Sequence, residues 1–132
     1  MKNFIYILIC IISFNTNFYS QNLNQQKVLE TEKYLQDGKY KYCTEKCDVI
    51  VEIKDNFYTE LYPNNEFIKA KIKWTTKEEY KLVITEIQKN DLPFEIGTIM
   101  NTKIVRKKGN TFYYESNLEG LSWSGKFEKI IN

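Results

Sequence analysis

A chain of 132 residues has room for one domain and a processing segment, and its 19 basic and 17 acidic side chains are interspersed, leaving no electrostatic footprint for nucleic acid. Histidine is absent, which removes the commonest general base and metal ligand and any Ser-His or Cys-His pairing. The composition therefore points away from catalysis and toward a small folded domain rich in aromatic residues.

The first segment reads as an export signal. Lys2 supplies a positive start, and Phe4 to Ile12 is an uncharged apolar run too short for the ~20 residues a bilayer span needs. Ser20 is a small residue suited to the position before a cut, although Phe18 two places earlier is not, so cleavage is placed near Ser20. An uncleaved anchor is the rival reading. Cys10 follows Ile9 where a lipid-attachment cysteine follows a small residue, so it is read as an apolar cysteine within the signal. The expected location is outside the cytoplasm, periplasmic or secreted, with no stable membrane span after processing.

Residues 21–36 form a polar tether or a short helix with Val28, Leu29 and Leu35 on one side. Asp37-Gly38 marks a turn, after which the periodicity becomes two. Lys39 to Tyr42 alternates, and the two cysteines of the mature chain, Cys43 and Cys47, form an even pair for an oxidising compartment. In an extended strand their Cα atoms would lie ~13 Å apart. A disulfide needs less than ~7 Å, so a staple between them requires a turn at Thr44 to Lys46.

Val49, Val51 and Ile53 share one face, Asp55-Asn56 is a tight turn, and Phe57, Thr59 and Leu61 continue the alternation until Pro63-Asn64-Asn65 interrupts it. The clearest strand follows, with Ile68, Ala70, Ile72 and Trp74 opposed to Lys69, Lys71 and Lys73. Tyr80, Leu82 and Ile84 oppose Lys81, Val83 and Thr85. A loop at Asn90 to Pro93 precedes a strand from Gly97 to Arg106 with Met100, Thr102 and Ile104 on one face. Gly109-Asn110 suits a hairpin, Phe112, Tyr114 and Ser116 follow, and the last strand carries Trp123, Gly125 and Phe127 on one side.

Seven or eight short strands without helical crossovers predict an all-β domain over residues 37–132, an antiparallel up-and-down meander. A meander of this length tends to close into a barrel, which removes its edges.

Several of these motifs together resemble the small uncharacterised exported proteins of flavobacteria and their relatives. The shared features are Gly38-Lys39-Tyr40, then Lys73-Trp74 followed by Glu79-Tyr80-Lys81-Leu82, then Ile96-Gly97 and Gly125-Lys126-Phe127. A more distant similarity is to lipocalin-like barrels, whose first strand often carries a Gly-x-aromatic element. The tryptophan of that strand is missing here, so this likeness implies architecture alone.

The candidate ligand-binding residues are Trp74, Tyr80, Met100, Tyr114 and Trp123 on the expected inner face, together with Arg106, the single arginine. The aromatic residues either line an apolar pocket or pack a solid core. Arg106 shares parity with Ile104 and either points inward to hold an anion or faces solvent beside Lys107 and Lys108. Glu52, Glu60, Glu79, Glu86 and Glu115 are the acidic side chains open to carboxylate chemistry, most of them on the lysine face. No catalytic residue, metal site or cofactor is expected. The function expected is a non-catalytic exported binding protein taking a small apolar or amphipathic ligand. The alternative is an interaction or envelope-structural domain that meets an envelope protein partner through its outer face.

Overall fold

In the computed structural model, residues 33–43 and 48–131 are described. The signal, most of residues 21–36 and Cys47 lie outside them, and so does the expected Cys43–Cys47 pairing. Residues 33–36 are bent rather than helical.

Eight antiparallel strands follow in chain order: β1 (Gly38–Cys43), β2 (Val49–Lys54), β3 (Phe57–Leu61), β4 (Phe67–Trp74), β5 (Glu79–Gln88), β6 (Ile99–Lys108), β7 (Thr111–Leu118) and β8 (Leu121–Lys129). Each pairs with its successor, and β1 pairs with β8, so the meander closes into a barrel. The closing seam runs from Tyr40 opposite Lys129 to Cys43 opposite Lys126. Among the described residues no helix is long and apolar enough to cross a membrane.

Alternation places most side chains as expected. Val49, Val51, Ile53, Ile68, Ala70, Ile72, Tyr80, Leu82, Ile84, Thr102, Ile104, Phe112, Tyr114, Ser116 and Phe127 are buried. Trp74 shares that face but is only half-buried. Burying one face of every strand is what this pattern of sequence can stabilise, at ~25 cal/mol per Å² of apolar surface removed from water.

Two strands depart from the expected parity. Asp55 and Asn56 both adopt positive φ, 52° and 64°, making the primed two-residue turn that suits twisted hairpins. That turn pairs Lys54 with Phe57 and Ile53 with Tyr58. Directly opposed residues share a face, so Tyr58 and Glu60 point inward and Phe57, Thr59 and Leu61 point outward. Phe57 is found outside, under the ammonium of Lys69 at 4.4 Å. In β6 the register shifts between Ile104 and Arg106, which face Tyr114 and Tyr113 respectively. This bulge at Val105 turns Arg106 outward, where it is exposed with its guanidinium 5.4 Å from the Tyr113 ring.

One end of the barrel is plugged by the chain that enters it. The Tyr34 amide donates to the Lys77 carbonyl in the β4–β5 turn at 2.9 Å, and the Tyr40 hydroxyl donates to the Gln36 carbonyl at 2.6 Å. Residues 34–37 therefore cross this end, and Leu35 between those anchors is 1% exposed.

Candidate interior binding site

Tyr58, Glu60 and Tyr62 follow one another at every second position, so the extended backbone aims all three at the barrel axis. The Tyr58 hydroxyl donates to Glu60 Oε1 at 2.9 Å, and the Tyr62 hydroxyl donates to Oε2. Burial raises the Glu60 carboxyl above the usual carboxylate range, opposed by these two hydrogen bonds and by the charge of Lys89. Lys89 itself is tied up at the rim, 3.0 Å from Glu66 Oε2 and 4.3 Å above the Tyr62 ring. That ion pair joins the β3–β4 and β5–β6 connections.

Below this rim lies a cavity of about 190 Å³. Among the described residues, Glu60 is the one ionisable acid on its wall, and no lysine or arginine lines it. Leu92 and Phe94, from the β5–β6 connection, reach its wall from the rim side. Its floor is aromatic: Phe127 stacks on Tyr114 at 4.7 Å and meets Tyr42 at 5.5 Å and Tyr58 at 6.4 Å.

Gly125 makes this floor possible. It lies opposite Tyr114 in the β7–β8 ladder, and a Cβ there would come within 2.5 Å of the Tyr114 hydroxyl oxygen and 2.8 Å of the ring. The ring of Tyr114 occupies the space that any other residue would fill.

The polar atoms inside meet one another. Thr102 and Ser116 share a 2.7 Å hydrogen bond, and Tyr80 is hydrogen-bonded to Thr102. The Tyr114 hydroxyl is buried and interacts with the phenol of Tyr42, whose ring stacks beside it at 5.8 Å between ring centres. Burial raises the phenols of Tyr42, Tyr58, Tyr62, Tyr80 and Tyr114, and that of Tyr40 to about 12. All remain neutral donors at pH 7.

Of the residues expected at the site, Tyr80, Met100, Tyr114 and Trp123 are brought together on the cavity wall. Trp74 is not among the residues lining it. It sits at the end of β4 with its ring 4.8 Å from Tyr80, and its indole nitrogen has no hydrogen-bond partner among the described residues. Arg106 is outside the barrel for the reason given above. The acidic group that does face the interior, Glu60, was detectable from the two-residue turn, which fixes the parity of β3 from that of β2.

A broader groove of about 540 Å³ lies over β5 to β8, where outward-facing Lys81, Asn101, Asn117 and Ser122 form one cross-strand row. It opens to solvent, and the Glu79–Lys103 ion pair on it, at 3.7 Å, is exposed. Comparison with protein-family models, curated proteins and solved structures finds no match to this chain.

Proposed function

We propose that this protein is an exported, non-catalytic binding protein that holds one small amphipathic ligand inside its barrel. The observation that carries this reading is the cavity beneath the rim, walled by aromatic and aliphatic side chains and by the Glu60 carboxylate held between two phenols. The volume of about 190 Å³ is smaller than a typical drug-sized pocket. It suits a body of roughly one ring, since an apolar cavity of ~150 Å³ suffices for benzene.

Native mass spectrometry of protein purified from its own envelope tests the reading. A co-purifying small molecule that quenches tryptophan fluorescence on rebinding supports it, because Trp123 lines the cavity. Bare protein that takes up nothing from a panel of one-ring amphiphiles overturns it.

The second reading, an interaction domain for an envelope protein partner, is favoured by the outer groove and by Leu121 and Trp123, 62% and 37% exposed, beside it on β8. Cross-linking in intact cells through a photoreactive group at Ser122 separates the two readings. A single specific adduct favours the partner, and its absence leaves the interior site.

A further inference from the structure

We propose that the ligand of the interior site is an organic cation, a protonated amine of one-ring size whose ammonium is held by the Glu60 carboxylate. The inference rests on the interior site being a ligand site and adds the charge of the occupant. Three features of the wall carry it. Among the described residues Glu60 is the single ionisable acid on the wall and no basic side chain lines the cavity, Lys89 acting on Glu60 only from the rim. Its two oxygens are fixed by Tyr58 and Tyr62, so the carboxylate is oriented before anything binds. The same cavity wall carries the aromatic side chains of Tyr42, Tyr80, Tyr114, Trp123, Phe94 and Phe127.

This arrangement selects against other occupants. A carboxylate or phosphate ligand would meet the like charge of Glu60, with no basic side chain among the described residues on the wall to answer it. A bare metal ion would find one carboxylate and phenol oxygens where a hard cation takes six to eight oxygen ligands. An organic ammonium differs from both, since its apolar body fills the aromatic enclosure and its charge is attracted by ring faces as well as by the carboxylate. The protein already places a cation on this wall from the outside, where the Lys89 ammonium sits 4.3 Å over the Tyr62 ring. Lys89 is engaged with Glu66 at 3.0 Å and does not line the cavity, so the inner side of Glu60 is left for a ligand.

The test compares two probes of the same size, benzylammonium and benzyl alcohol, titrated against the purified protein at pH 7 by calorimetry and tryptophan fluorescence. The expected result is that benzylammonium binds at least tenfold more tightly than benzyl alcohol. In Glu60→Gln the preference collapses while the affinity for benzyl alcohol is kept. Equal affinities, or a preference for the alcohol, overturn the cation assignment and leave the interior site standing. Failure of both probes to bind overturns the interior site itself. The comparison on the unaltered protein is decisive even if Glu60→Gln does not fold, and Tyr62→Phe, which loosens the carboxylate and removes no charge, is expected to narrow the preference without abolishing it.

Discussion

At the end of the barrel crossed by residues 34–37, Leu35 is buried and the anchoring contacts run from the Tyr34 amide to the Lys77 carbonyl and from the Tyr40 hydroxyl to the Gln36 carbonyl. At the other end, a carboxylate held by two phenols looks into open volume beneath a rim tied by one ion pair. The same alternating strands build both ends. The difference lies in what the chain lays across each opening, an apolar plug in one case and polar side chains in the other. The rim end keeps a desolvated carboxylate, a cost that a domain selected for stability alone would shed.

The comparison can be broken at the aromatic floor that separates the two ends. Phe127→Ala removes the ring that meets Tyr40, Tyr42, Tyr58 and Tyr114, and is expected to cost ~3–5 kcal/mol in urea unfolding while enlarging the cavity. A loss below ~1 kcal/mol would mean the floor is not packed as described. Leu35→Ala acts on the plug alone. It is expected to cost ~2–4 kcal/mol and to leave small-molecule uptake unchanged, measured by unfolding and by fluorescence titration on the same variant.

The next effect is one of pH. Glu60 is raised above its ordinary value of 4.5, so the folded state holds its proton more tightly than the unfolded chain does. Its contribution to stability is complete below the ordinary carboxylate value and declines as pH rises through the raised folded value. Denaturation midpoints measured upward from pH 4.5 should therefore include a falling component that Glu60→Gln removes and Glu115→Gln, on the exposed face, does not. The smallest effect belongs to Arg106. Arg106→Ala loses one exposed ring contact and should change stability by no more than ~0.5 kcal/mol, with ligand uptake untouched. Weakened uptake in that variant would place Arg106 at the site after all.

The alternating pattern made the fold legible from Gly38 to the C-terminus, because a strand with one wet face must write its two faces into alternate residues. Ile68, Ala70, Ile72 and Trp74 on one side of β4 are the plainest case. What the pattern does not write is depth along the barrel, which is why Trp74, on the expected face, lies off the cavity beside Tyr80. Nor does it mark a bulge, since the extra residue at Val105 leaves no signature in Ile104-Val105-Arg106, and Arg106 changed face in consequence. β3 misleads for a third reason. Phe57 and Leu61 are the more hydrophobic set of that strand, yet turn geometry overrides hydrophobicity and brings Tyr58 and Glu60 inside. A carboxylate on the inner face of a strand is a departure from core chemistry of the kind that marks functional positions.

The shortest ladder in the barrel is the one between β1 and β8, four opposed pairs from Tyr40–Lys129 to Cys43–Lys126. It joins the two ends of the domain, whereas every other ladder joins neighbours in sequence. Hairpins such as β7–β8 gain their contacts after closing a small loop, but this one must first bring together segments separated by most of the chain. The cylinder is therefore expected to assemble as a curling ribbon whose last act is to zip this line. Amide protons of residues 40–43 should accordingly exchange with solvent before those at the centre of β7.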